Sequence, residues 1–134
     1  MTDDPRRRAF IAGWLFAVCV LLYLMIVIGG LTRLTESGLS IVEWKLAMGW
    51  IPPLGDADWQ KLFAEYQTSP QYQKVNRGMS LGAFKEIFWL EFIHRLWGRL
   101  LGFAFAPPLI FFWWRGWLDG VLKGRLLFAL LLGA

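Results

Sequence analysis

The sequence predicts an all-α membrane protein: a transmembrane helical bundle in fragment form, with two complete spans, a long external loop carrying a short amphipathic helix, and the start of a third span. Three observations lead there. The 134 residues are 57% hydrophobic and 18% charged, against about 45–50% and about 25% in ordinary soluble domains. The apolar residues gather in runs of spanning length, giving a mean hydropathy of +0.45. The basic residues sit in short groups beside those runs rather than along one patch, so the net charge of +4 predicts membrane orientation and no nucleic-acid partner. Intrinsic disorder is excluded, because nine Trp and eleven Phe supply more burial drive than a chain leaves solvated. Cys19 is the one cysteine, which excludes an intrachain disulfide and a thiolate metal cluster.

Residues 1–8 form a cytoplasmic lead with Arg6, Arg7 and Arg8. Residues 9–32 are the first span: 24 residues whose only ionisable groups are the Tyr23 phenol and the Cys19 thiol. As a helix this run is roughly 36 Å long, more than the roughly 30 Å hydrocarbon core. A signal peptide would have a shorter apolar region, about 7–15 residues, and a small-residue cleavage site. Val27-Ile28-Gly29-Gly30-Leu31 offers no such site, so the span is read as uncleaved.

Residues 33–86 form a loop too long to be structureless. Pro52-Pro53, then Asp56 or Asp58 as N-cap, then Trp59, Leu62, Phe63 and Tyr66 at i, i+3, i+4, i+7 predict a short helix on the membrane surface. Its aromatic face is expected at headgroup level. Ser80 is the expected N-cap of a helix that runs through Phe84, Ile87 and Phe88 into the second span, 87–114. The uncharged part of that span, Leu100 to Trp114, has 15 residues, so Glu91, His94, Arg95 and Arg99 fall near one end. Pro107-Pro108 is tolerable where neighbouring helices satisfy the freed carbonyls. Residues 115–125, with Arg115, Lys123 and Arg125, form a second cytoplasmic segment. Residues 126–134 begin a third span, and nine residues do not cross a bilayer, so a longer polypeptide is expected. The 33–86 segment carries six basic and six acidic residues. Both basic groups are therefore expected in the cytoplasm, and the long loop outside, in a bacterial periplasm.

Chemistry concentrates on the second span. At about 100° per residue, Glu91, Arg95, Gly98 and Gly102 share a narrow sector, flanked by His94 and Arg99. Ionisable groups at membrane depth cost several kcal/mol unless paired or facing a cavity, so the stripe marks a functional site. His94, the sole histidine, reads as a packing or proton-relay residue, or as an axial ligand of heme iron beside an apolar wall of Trp89, Phe92 and Trp97. Gly98 and Gly102 read as room for a macrocycle or as a helix-packing motif. Arg95 and Arg99 read as snorkelling side chains or as partners for tetrapyrrole carboxylates. Glu91 reads as a proton-handling acid or as the i, i+4 ion-pair partner of Arg95.

The run Gly29-Gly30-Leu31-Thr32-Arg33-Leu34-Thr35-Glu36-Ser37-Gly38-Leu39-Ser40, followed by Glu43-Trp44-Lys45, resembles the end of the first span and the first external loop of heme A synthases. The likeness continues through Pro52-Pro53-Leu54, Trp59, Phe63, Tyr66, Pro70, Asn76, Met79-Ser80, Phe84-Lys85, Ile87-Phe88 and Glu91-x-x-His94-Arg95-x-x-Gly98-Arg99. The cysteine pair of other bacterial members is missing, as in the alphaproteobacterial and mitochondrial branch, and Leu46 replaces the proline usual after Trp-Lys. The resemblance implies an inner-membrane oxidoreductase that converts heme O to heme A for cytochrome oxidase by oxidising a ring methyl to a formyl group. It implies eight spans in two similar halves, with heme b as cofactor in the second half and the substrate heme in the first.

Carried over by position, His94 is the axial ligand of the substrate heme and Glu91 the acid associated with turnover. Its partner histidine and the heme b ligands are expected outside this chain. Arg95, Arg99 or Arg33 would meet the heme propionates. Implied partners are heme O, heme O synthase, an electron donor, the lipid bilayer and a homo-oligomeric copy. Two other readings stand beside this one: a b-type electron-transfer cytochrome using His94 from two copies, and a non-catalytic assembly subunit of the membrane.

Overall fold

The structure, a computed structural model, describes residues 4–43 and 49–133. Trp44, Lys45 and Leu46, part of the motif above, lie outside the described residues. Five helices follow in chain order: α1 Pro5–Leu34, α2 Asp56–Gln67, α3 Pro70–Lys74, α4 Leu81–Trp114 and α5 Gly120–Gly133. The long helices α1 and α4 are both long and apolar enough to cross a membrane.

Local chemistry accounts for the helix ends. Asp4 caps α1 by accepting from the Arg6 backbone N–H at 2.9 Å, with Pro5 at the first helical position, where no donor is needed. At the other end Ser37 N–H donates to Thr32 C=O at 2.9 Å and Glu36 N–H to Arg33 C=O at 3.2 Å, a Schellman closure. α4 ends the same way, with Trp117 N–H on Phe112 C=O and Gly116 N–H on Trp113 C=O. The two closures differ at their left-handed residue: Gly116 has φ 67 and Glu36 has φ 53. Glycine adopts that conformation without a steric penalty, whereas the glutamate costs about 1 kcal/mol or more. Leu39, three residues further on, is left-handed as well, at φ 76.

The expected cap of α2 is corrected. Gly55, with extended backbone, is the N-cap, and Asp56 and Asp58 lie inside the first turn, where their charge favours the positive end of the helix dipole. Ser80 caps α4 as expected, accepting from the Ala83 N–H at 3.2 Å.

Two compact units divide the chain, one comprising Tyr23–Arg99 and the other the residues up to Leu22 with those from Leu100 onward. In the Tyr23–Arg99 unit the aromatic face of α2 turns inward. Trp59, Tyr66, Phe84, Ile87, Phe88 and Phe92 form one buried core with Leu62 and Phe63 packed on it, so the face expected at headgroup level is covered by α4 instead. Tyr66 and Phe84 are fully buried and stack at 5.1 Å; burying a side chain of this size contributes about 1.5–3 kcal/mol. The Tyr66 hydroxyl accepts from Asn76 Nδ2 at 2.8 Å, which ties α2 to the turn after α3.

In the other unit Ile11, Leu109, Phe112, Leu118 and Leu126 make a second core, with Trp14 against it. Pro107 and Pro108 lie inside α4. Lacking an N–H, Pro108 leaves the Ala104 carbonyl without its helical donor. The Trp14 indole N–H supplies one at 2.7 Å, the kind of neighbouring-helix satisfaction that the sequence required.

Candidate functional site

The ionisable stripe of α4 is held by the segment that follows α1. Glu91 is 5% exposed, and both of its carboxylate oxygens accept two bonds. Oε1 accepts from Arg95 Nε at 3.0 Å and from its terminal Nη2 at 2.6 Å. Oε2 accepts from the Ser40 hydroxyl at 2.6 Å and the Ile41 backbone N–H at 2.8 Å. The Glu91–Arg95 ion pair joins residues one helical turn apart on α4, so that reading of the spacing is realised. Four donors on one buried carboxylate meet the condition under which a charge tolerates burial.

The arginines reach the same segment. Arg95 also donates to Ile41 C=O at 3.2 Å. Arg99 donates to Gly49 C=O, and its guanidinium lies 5.3 Å from the Trp50 ring centroid. Residues 91, 95 and 99 thus fasten residues 40, 41, 49 and 50 to the helix. Beside them a cleft of about 370 Å³, lined among others by Ile41, Lys61, Phe88, Phe92, Arg95 and Arg99, opens between α2 and α4.

His94 does not line this cleft. At about 100° per residue it is roughly 100–160° around α4 from the cleft-lining residues of that helix. It faces α1: a Cβ on Gly29 would meet His94 Nε2 at 3.2 Å, and a Cβ on Gly98 would meet the Met25 methyl at 3.4 Å. Residue numbers ascend on one helix as they descend on the other, so α1 and α4 run antiparallel here. The half-buried imidazole makes no hydrogen bond or ion pair among the described residues. Arg33 is one turn beyond Gly29 on the same face of α1. It is exposed, and its guanidinium joins neither group among the described residues.

The structure therefore brings Glu91, Arg95 and Arg99 together and sets His94 and Arg33 on the α1 side. Ser40 and Ile41 were not among the residues singled out for chemistry. Their partner lies about fifty positions away in sequence, and no local periodicity reports such a contact.

A helical membrane protein with one imidazole set against a glycine of the neighbouring span, and a buried carboxylate one turn away, is the class that fold and site define. Residues 12–134 match the family described as cytochrome oxidase assembly protein, and the chain belongs to that family. Its relatives include the heme A synthase of Chelativorans sp. (strain BNC1), 53% identical over 134 residues, covering 99% of this chain and 37% of that protein. The heme A synthase of Bradyrhizobium diazoefficiens is 55% identical over 130 residues, covering 96% of this chain and 36% of that protein. That of Mesorhizobium japonicum is 51% identical over 130 residues, covering 97% and 36%. The chain thus spans little more than a third of the length of these curated relatives. No solved structure matches it.

Proposed function

We propose that this chain forms the substrate-heme portion of a heme A synthase, in which His94 is one axial ligand of heme O while a ring methyl is oxidised to the formyl group of heme A. The observation that carries the reading is the state of His94. It is the sole histidine, it has no hydrogen-bond partner among the described residues, and it rests against a glycine where a Cβ would crowd Nε2. Neutral imidazole with a free nitrogen is a standard heme ligand.

The residues support a division of labour. Gly29 of α1 sets the ring's position, and Met25 of α1 meets α4 at Gly98. Arg33, on the His94 side, is the arginine best placed for a propionate, while Arg95 and Arg99 hold loop carbonyls on the other side of α4. Glu91 stabilises positive charge developing at the reacting carbon or moves a proton there, and proton pickup requires one of its four hydrogen bonds to open. The single histidine goes to the substrate, so no residue of this chain is assigned to heme b, the resident cofactor. We place the N-terminus and residues 115–125 in the cytoplasm, residues 33–86 outside the bacterial inner membrane, and heme O synthase, an electron donor and a second copy among the partners.

The test is His94→Leu in the whole product of the gene. It should abolish heme A formation while heme b stays bound, measured by pyridine spectra and heme chromatography of the same preparation. A wild-type yield of heme A would refute the ligand assignment, and loss of heme b would move His94 to the cofactor site.

A further inference from the structure

The two oxygens of Glu91 are held in different ways. Oε1 is held by Arg95, a residue of the same helix, which moves with it. Oε2 is held by Ser40 and Ile41, from a segment that precedes it by about fifty residues. Only the second pair bonds the carboxylate directly to anything other than α4; Arg95 reaches the same segment indirectly, through the Ile41 carbonyl. Ser40 is itself 2% exposed, and its hydroxyl has the Ile87 carbonyl, at 3.3 Å, as the alternative acceptor; the shorter contact, to Glu91, is the better bond.

The segment carrying Ser40 adopts a backbone that its sequence does not favour. Glu36 and Leu39 are both left-handed, a region that side-chain-bearing residues rarely enter and that persists where surroundings over-determine it. Leu39 is 66% exposed, so its own burial does not stabilise the turn. The residues beside it do: Ser37 is fully buried and its hydroxyl meets that of Thr35, while Ser40 bonds Glu91. The turn is shaped so that two donors in succession, a hydroxyl and a backbone N–H, arrive at one carboxylate oxygen.

We propose that Ser40 is a positioning residue for Glu91, its hydroxyl aiming the carboxylate at the reacting part of the bound heme. The proposal rests on the reading of Glu91 given above. Ser40 touches no substrate and acts through Glu91 alone. Removing the hydroxyl leaves Oε2 with the Ile41 N–H as its remaining donor, so that oxygen is held less tightly while Arg95 still holds Oε1. Small misplacements of a reacting group carry large rate costs, and a loss of roughly 10- to 100-fold in turnover is expected.

The experiment compares wild type, Ser40→Ala, Ser40→Thr, Glu91→Gln and the double variant Ser40→Ala with Glu91→Gln, each as the whole product of the gene. Readouts are heme A formed per bound heme, the identity of the bound hemes and the thermal melt. Ser40→Ala should keep its bound heme, melt somewhat lower for the lost bond to a buried carboxylate, lose turnover and accumulate heme O or the alcohol intermediate. Ser40→Thr should stay within a few-fold of wild type, and the double variant should be no slower than Glu91→Gln. A further loss in the double variant, a loss of bound heme in Ser40→Ala, or a Ser40→Thr as slow as Ser40→Ala would each overturn the inference while leaving the reading of Glu91 standing. Full turnover in Glu91→Gln would overturn both.

Discussion

Trp14→Phe isolates one hydrogen bond. Phenylalanine retains most of the ring contacts of Trp14, which lie 5.6 Å from the Phe105 centroid and 5.2 Å from that of Phe112. What is lost is the indole N–H on the Ala104 carbonyl, and Pro108 has already removed the helical donor that would otherwise serve that oxygen. An acceptor buried without a partner costs about 1–3 kcal/mol. Pro108→Ala supplies the comparison, because it restores the N–H that bonds Ala104 along the helix. In that background Trp14→Phe should cost less than about 1 kcal/mol, the packing remainder, giving a coupling of about 1–2 kcal/mol between the two positions. Equilibrium unfolding of the four proteins in mixed micelles, driven by rising SDS, measures it. Equal losses from Trp14→Phe in both backgrounds would show that the indole stabilises through packing and that its hydrogen bond is irrelevant to the proline.

Two further outcomes are expected. Gly29→Ala places a methyl 3.2 Å from His94 Nε2, forcing the ring to yield by a few tenths of an ångström; heme retention should fall roughly several-fold with a shifted Soret band, and an unchanged spectrum and occupancy would show that α1 does not set the imidazole. Orientation is checked with Ser69→Cys and Asp119→Cys, probed by an impermeant thiol reagent in intact cells: labelling is expected at 69 and not at 119, and the opposite pattern would invert the topology.

Patterns confined to a few residues were legible in the sequence. The apolar run to Thr32 is continuous in sequence, and the Ser80 cap and the Glu91–Arg95 pair are each written within about one helical turn, where 3.6-residue geometry decides the contact. The Trp59, Leu62, Phe63, Tyr66 repeat correctly announced an apolar face, but periodicity cannot name what covers it, since a lipid headgroup and the side of α4 demand the same residues. The occupants of Arg95 and Arg99 were hidden for a related reason. A guanidinium donates to a propionate or to a backbone carbonyl, and the carbonyls of Ile41 and Gly49 carry no side-chain signal. Ser40 and Gly29 owe their importance to residues more than fifty positions away, reached only after the chain has folded back.

The continuity of α4 gives its numbering a mechanical meaning. Phe84 and Phe88 carry the packing of α2, Glu91 carries the Ser40 segment and His94 faces α1, all indexed on one unbroken shaft. From Phe84 to His94 is about 15 Å of rise, and each intervening residue also fixes an azimuth. Adding a single residue between Phe88 and Glu91 would swing the α2 docking surface by about 100° relative to His94, turning one group away whichever of the two kept its place. Loops absorb such insertions readily, whereas length variation should be forbidden in the eleven-residue stretch that keeps these side chains in phase.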